Sequence, residues 1–259
     1  MEDYLAFGVS DASNGDWGAF SYCQNLLGNL ELPSTLTHIE HGAFNYDEFE
    51  GNLILPSSLE LVGAYAFNRN NFTGKLSLPQ GLKYIGNGAF AHTRFTGSLE
   101  IPAGMTVIRQ NAFANISFSG SLILPEGIRE VQQHAFDGST LRGELVLPSS
   151  VESLGNYAFS NTCINNIIFP AGLLSIGTGC FKNCYNLSGP LVIPEKVNRI
   201  NEYTFAGNVL LSEIVLHENV IFVGGAAFDG SYNLKEITVA NPTPPMTSTV
   251  MEYNDGFIR

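Results

Sequence analysis

One feature limits this chain to a single kind of architecture: phenylalanine returns every 23 residues. It stands at Phe44, Phe67, Phe90, Phe113, Phe136, Phe159, Phe181, Phe205 and Phe228, with one step of 22 and one of 24 on either side of Phe181. Proline keeps the same beat at Pro33, Pro56, Pro79, Pro102, Pro125, Pro148, Pro170 and Pro194, and His217 and Ala240 take its place in the last two copies. Ten units run from Leu30 to Val239, each close to Gly-x-Leu-x-Leu-Pro-x-x-Leu-x-x-Ile-Gly-x-x-Ala-Phe. A unit this short cannot bury its apolar side alone, so the copies must stack and close a shared core between them. At 259 residues, length alone allows one or two globular domains. The repeat replaces that arithmetic with a single open solenoid.

Each column of the repeat has a physical meaning. Apolar pairs three and one residues before the proline, such as Leu76/Leu78, Leu145/Leu147 and Leu191/Ile193, have the period of a short strand with one buried face. Proline ends that strand because it cannot donate to a ladder. A glycine five residues before the proline, as at Gly51, Gly74 and Gly97, suits a tight corner. A second apolar pair, for example Leu59/Val62 or Ile128/Val131, also points inward. Alanine before phenylalanine, replaced by Cys180 and Thr204 in two copies, is small because space is short there. Phenylalanine fills the interior and stacks on its neighbour. A second aromatic ladder of Phe49, Phe72, Phe95 and Phe118 continues as Leu141 and Ile164. Early copies read Phe-Thr-Gly-x-Leu, as at Phe72–Leu76; late ones read Asn-Leu-x-x-Ile, as at Asn233–Ile237. The irregular spacing at Phe181 marks the seam of one solenoid written in two dialects. Little helix is expected, at most short 3₁₀ turns.

Charge narrows the functions. With 24 acidic and 12 basic residues the net charge is −12, which opposes a nucleic-acid partner and docking on anionic lipid. An apolar content of 44% excludes a disordered chain. No run of about 18 apolar residues is present to span a membrane.

The repeat resembles the BspA-type leucine-rich repeat of bacterial surface proteins. Residues 173–193 carry the likeness best, with Ile176-Gly177, Cys180-Phe181, Cys184, Asn186-Leu187 and Leu191-Val192-Ile193-Pro194; residues 220–239 follow the same order. The resemblance implies a right-handed, curved coil of about ten turns, with short parallel strands on one face. It also implies secretion or surface display, adhesion to host proteins in some members, a spacer role in others, and no shared catalytic residues. Only Cys23 and Cys184 hold the cysteine that often follows Ala-Phe in that family. Residues 1–25, with Trp17 and the first Ala19-Phe20, are expected to form an N-terminal cap. Residues 26–240 form the solenoid, and 241–259 a tail or partial cap. Met1 runs directly into Glu2, Asp3 and Tyr4 without the basic region of a signal peptide. The expectation is a mature fragment whose signal peptide or lipid anchor lies outside this sequence.

Nothing in the chain groups into a catalytic motif, and neither a cofactor nor a metal is expected. His38 and His41 flank Glu40 in a turn-rich stretch. Asp47, Glu48 and Glu50 lack the alternating ligands and the glycine of a calcium loop. Cys180 takes an alanine column and reads as a small buried residue. Cys163 and Cys184 fall near matching positions of adjacent turns, where either a disulfide or free thiols are possible, since spacing does not fix connectivity. The sequons at Asn71, Asn115 and Asn186 read as turn chemistry. The most informative surface is the outward strand column. Five consecutive copies place a branched apolar residue there: Ile123, Val146, Ile168, Val192 and Val215. Such a stripe marks an interaction site; the same residues also simply suit strands. Tyr65, His134, Tyr157 and Tyr203, one residue before Ala-Phe, form a second solvent-facing set, and tyrosine often anchors interfaces. The leading expectation is a non-enzymatic binding module. Its ligand would be a protein, such as a host extracellular matrix protein, or a glycan, held along an extended face. A structural spacer within a larger surface protein is the alternative.

Overall fold

The computed structural model describes residues 18–239 together with 246–247. The remaining parts of the expected cap and tail, including Trp17, lie outside the described residues. The chain winds as a parallel β-solenoid of about nine turns. Every strand pairing among the described residues is parallel, and none of them is helical.

The core follows the sequence columns. Phe67, Phe90, Phe113, Phe136, Phe159, Phe181 and Phe205 are fully buried. Their rings stack nearly parallel at centroid spacings of 5.3–5.8 Å from Phe67 to Phe205. Phe20 continues this stack onto Phe44 at 5.6 Å. The second aromatic ladder, Phe49–Phe72–Phe95, runs beside it at 6.2 and 6.0 Å and meets it edge-on. Burying each such ring contributes roughly 1.5–3 kcal/mol. The alanines before the phenylalanines are closed off because the backbone of the next turn passes beside them: the amide of Phe67 donates to the carbonyl of Ala89 at 2.8 Å, and that of Phe136 to Ala158 at 2.8 Å.

Two strand ladders run along the coil rather than one. The first is the expected column before each proline. The second lies at the Ile-Gly column, where His38–Ile39, Leu61–Val62 and Tyr84–Ile85 pair in one stretch. Val107–Ile108, Glu130–Val131, Ser153–Leu154 and Ser175–Ile176 pair in the next, and Arg199–Ile200, Phe222–Val223 and Met246–Thr247 in the last. The glycine after this pair has a steric role. A Cβ on Gly86 would come within 2.3 Å of the Ala64 amide nitrogen, and one on Gly177 within 2.5 Å of that of Asn156.

A buried column three residues after the phenylalanines, polar in most copies and Ile116 in one, satisfies carbonyls that the stack leaves open. Thr93, Ser139 and Thr162 donate to the carbonyls of Phe90, Phe136 and Phe159 at 2.7, 2.7 and 2.8 Å. Asn70 and Asn208 each bridge two turns through Nδ2, to Phe44 and Phe67 and to Phe181 and Phe205 respectively. A buried carbonyl without a partner would cost about 1–3 kcal/mol, so this column maintains the aromatic core.

Candidate functional site

The outward positions of the first ladder form the most continuous surface. Ile123, Val146, Ile168 and Val192 are 51%, 49%, 45% and 61% exposed. The register sets Val146 beside Ile168 in one sheet and Val192 beside Val215 in the next, so apolar residues recur at this position on successive turns. Val215, held between Val192 and Thr238, is partly buried. Ile54 is also well exposed, but Ser77 and Glu100 separate it from the stripe. Beside the stripe, Asn166 donates through Nδ2 to Glu144 Oε1 at 2.7 Å.

From Val146 onward this stripe occupies the part of the coil with full strands. Arg142–Val146, Cys163–Ile168, Gly189–Val192, Leu211–Leu216 and Glu236–Val239 are four to six residues long. Earlier in the chain the same column shrinks to Leu99–Glu100, Leu122–Ile123 and isolated bridges at Asn52↔Thr73 and Lys75↔Thr96. The corner position also differs: Gly51, Gly74 and Gly97 stand there at φ of 70–79°, whereas Asn165 and Ser212 hold it later within continuous strands. Where glycine recurs, at Gly143 and Gly189, the register shifts at that point.

The tyrosine set lies eleven residues further along each turn, at the Ala-Phe corner, and the fold does not merge it with the stripe. The residue before each Ala-Phe pair is left-handed in every copy from Gly42 to Ala226, with φ of 54–61°. Tyr157 is partly buried: its ring stacks on His134 at 5.1 Å and lies over Gly179, where a Cβ would come within 2.3 Å of it. His134 is tied to Asp137 Oδ2 at 2.9 Å. Tyr203 is exposed, with Lys182 Nζ 5.1 Å from its ring centroid.

Two residues after each phenylalanine, a second left-handed column appears that the sequence reading did not single out. It carries Tyr22, Tyr46, Arg69, His92 and Asn115 at φ of 55–62° in the first half, then Gly138, Asn161, Asn183, Gly207 and Gly230. Its signal was available: glycine and asparagine recur there, the residues that tolerate this conformation best. Between the two columns in the first half runs a shallow groove of about 350 Å³ with Asn45, Asn68, Ala91 and Ala114 in its lining. A smaller one of about 260 Å³ lies over Tyr84, Met105 and Arg109.

The remaining candidates separate. All four cysteines are free. Cys184 sits in the buried polar column, its thiol donating to the Phe159 carbonyl at 3.2 Å and lying 3.3 Å from Thr162 Oγ1. Burial pushes this thiol up to about 12 and holds Cys180 well above the ordinary range, so neither is a thiolate nucleophile. Asp47 is buried in the same column and accepts the Cys23 amide at 2.8 Å, while Glu48 and Glu50 point to solvent. His38 bonds its neighbour Thr37 at 2.9 Å, and His41 packs edge-on to Tyr65. Among the described residues no three His, Cys, Asp or Glu side chains gather where they would share a metal ion, and no helix is long and apolar enough to cross a membrane.

Fold and surface together define a class: a parallel repeat solenoid whose accessible features are long, shallow faces. The chain belongs to the BspA-type leucine-rich repeat family. That family's repeat region of six copies matches residues 16–142 and again residues 143–254. Among solved structures, a leucine-rich cell surface protein from Faecalibacterium prausnitzii A2-165 is similar at a TM-score of 0.55 and 21% identity, over 85% of this chain and 62% of that one. A leucine-rich repeat protein from Bacteroides ovatus ATCC 8483 gives 0.47 and 22%, over 85% and 74%. One from Eubacterium ventriosum ATCC 27560 gives 0.49 and 18%, over 85% and 68%. At 21% identity the likeness to the F. prausnitzii protein is one of fold. The chain therefore spans less than two thirds of the F. prausnitzii protein. No curated protein matches the sequence.

Proposed function

We propose that this chain is a non-enzymatic binding module of a cell-surface or secreted bacterial protein, and that it holds a protein partner along the strand face of its second half. The observation that carries this reading is the apolar column Ile123, Val146, Ile168 and Val192 on consecutive turns, each residue about half exposed, with Val146 paired to Ile168. Contiguous exposed apolar surface of this kind is uncommon on a monomer and favours a partner. The contact is broad and shallow, with Glu144, Asn166 and Glu213 as a polar rim and Val215 at the far end. Tyr157 and Tyr203, at the Ala-Phe corner beyond the second ladder, belong to a separate face. Surface display is supported by family membership and by the name of the F. prausnitzii relative. A partner among host matrix proteins fits a face with no pocket to select a small molecule.

The test is binding to immobilised fibronectin and fibrinogen by the wild type and by the Val146→Lys, Val192→Lys double variant. Circular dichroism verifies that both are folded. The expected result is saturable binding by the wild type, weakened at least tenfold in the variant. Equal binding by both proteins overturns the placement on this face. No binding to either matrix protein by a folded wild type points instead to a spacer.

A further inference from the structure

The first half of the coil carries a surface of different chemistry. On the left-handed column after the phenylalanines stand Tyr22, Tyr46, Arg69, His92 and Asn115, one per turn. Tyr65 and Asn111 stand on the column facing them across the groove. Left-handed backbone costs a non-glycine residue roughly 1–2 kcal/mol, yet bulky side chains are held in it on turn after turn. Their stacking fixes them further: Tyr46 lies on Tyr22 at 4.9 Å, and the Arg69 guanidinium lies over Tyr46, 4.9 Å from its centroid.

Three properties of this groove point to one ligand chemistry. First, charge: no acidic residue among the described ones lines the groove. Arg69 is exposed, and among the described residues its guanidinium makes neither a hydrogen bond nor an ion pair. On the following turn Asp137 is held by His134 and by Asn161 Nδ2 at 2.9 and 2.8 Å, and the left-handed column passes to Gly138. Second, donors: Asn68 Nδ2 binds Asn45 Oδ1 at 2.9 Å, which leaves the Asn45 Nδ2, 1% exposed residue as it is, without a partner in the floor. Third, the backbone is used up. The amides of Tyr46, Arg69, His92 and Asn115 all donate to the next turn at 2.7–2.9 Å, so a peptide has no free edge to pair with. Recognition must come from side-chain amides, phenols, an imidazole and one guanidinium, repeated at the spacing of the turns. His92 adds a neutral ring, its pKa lowered by burial and by the nearby Arg69 charge.

We propose that this groove binds an acidic oligosaccharide lying along the coil axis, with Arg69 receiving its carboxylate or sulfate and the amide and phenol groups receiving its hydroxyls. A guanidinium presents a rigid fork that matches such anions, and amides pair with neighbouring hydroxyls. This site is separate from the strand face proposed above and stands or falls independently of it.

The test is isothermal titration of the wild-type chain with an oligogalacturonate hexasaccharide, a heparin-derived hexasaccharide, sialyllactose, maltohexaose and a hexaglutamate peptide. The expected result is binding of at least one acidic oligosaccharide, at least tenfold weaker for maltohexaose and for hexaglutamate. Affinity should fall as salt is raised. The three acidic sugars distinguish uronate, sulfate and sialate recognition. Arg69→Ala should reduce the affinity at least tenfold, with Arg69→Lys in between, and Val146→Lys with Val192→Lys should leave it unchanged. Arg69 is exposed, so its variants are expected to keep the wild-type melting temperature. Absence of binding to all three acidic sugars at millimolar concentration overturns the proposal. So does equal binding by Arg69→Ala, or tighter binding of hexaglutamate than of any sugar.

Discussion

Replacing Phe136 by alanine tests the reading of the core directly. The ring is fully buried and lies between Phe113 and Phe159, at 5.5 and 5.3 Å with interplanar angles of 7° and 11°. Truncation removes the transfer free energy of the ring and leaves a void that rigid neighbouring turns cannot close, a loss of about 3–5 kcal/mol. The two stacking contacts account for about 0.5–1.5 kcal/mol each of that total. The terminal ring provides the internal control. Phe20 is 47% exposed and among the described residues stacks only on Phe44, so its truncation should cost about 1 kcal/mol. Urea unfolding followed by circular dichroism measures both. Because each turn touches only its neighbours, a defect in the middle can also divide the coil into two separately melting halves, seen as a smaller m value or two transitions. A loss below about 1 kcal/mol at Phe136, with the wild-type m value kept, would refute the aromatic-stack reading. An equal loss at Phe20 and Phe136 would refute the nearest-neighbour reasoning.

Ala226 stands at φ 54° with no large side chain to lose, so Ala226→Gly should stabilise the chain by about 1 kcal/mol in urea unfolding. Asp47, whose carboxyl burial raises from 3.8 to about 6, binds a proton in the folded state that the unfolded chain has already lost between those values. Its contribution to stability is therefore full below pH 3.8, falls as pH rises through 6, and is flat above. Asp47→Asn, which restores the amide found at Asn70 and Asn208, should melt higher than the wild type at pH 7.5, with the difference shrinking toward pH 4; a pH-independent difference would count against it. In native protein, a maleimide should label Cys163 and Cys23 before Cys180 and Cys184, which are buried and hold raised thiol pKa values. Equal rates, read by mass spectrometry, would contradict the burial of that column.

The architecture was legible because a repeat samples each structural position about ten times. At Phe136 or Leu145 one residue is ambiguous, but the column is not. The second strand ladder was harder to see. Its strands are only two residues long, as at Leu61–Val62, too short to show an alternating pattern, and they form because stacking aligns them. The two left-handed columns were missed for a different reason. Tyr65, Tyr157 and Arg69 contradict local preference, and only glycine and asparagine in other copies betray the conformation. The stripe from Ile123 to Val192 was visible as composition, whereas the lengthening of its strands from Arg142 onward emerges only in the fold. The groove was not visible at all, because its lining comes from two columns that only the fold brings face to face.

That division of surfaces follows from the two dialects. In the first half the strands are short, while large side chains fill the column after each phenylalanine; its outward relief is at the Ala-Phe corner. In the second half the column is mainly glycine and asparagine, with Asn183 Nδ2 bonded to Asn161 Oδ1 at 3.0 Å, and the strands lengthen instead; its relief is on the strand face. Both halves share one aromatic stack, which passes the seam from Phe159 to Phe181 to Phe205 at 5.6 and 5.8 Å without a break. A continuous core with position-dependent surfaces lets outward residues change on one turn without disturbing the next, since the energy of each turn depends on its own side chains and its two neighbours. The coil can therefore carry two unlike binding faces in series, and substitutions on either should leave the other intact.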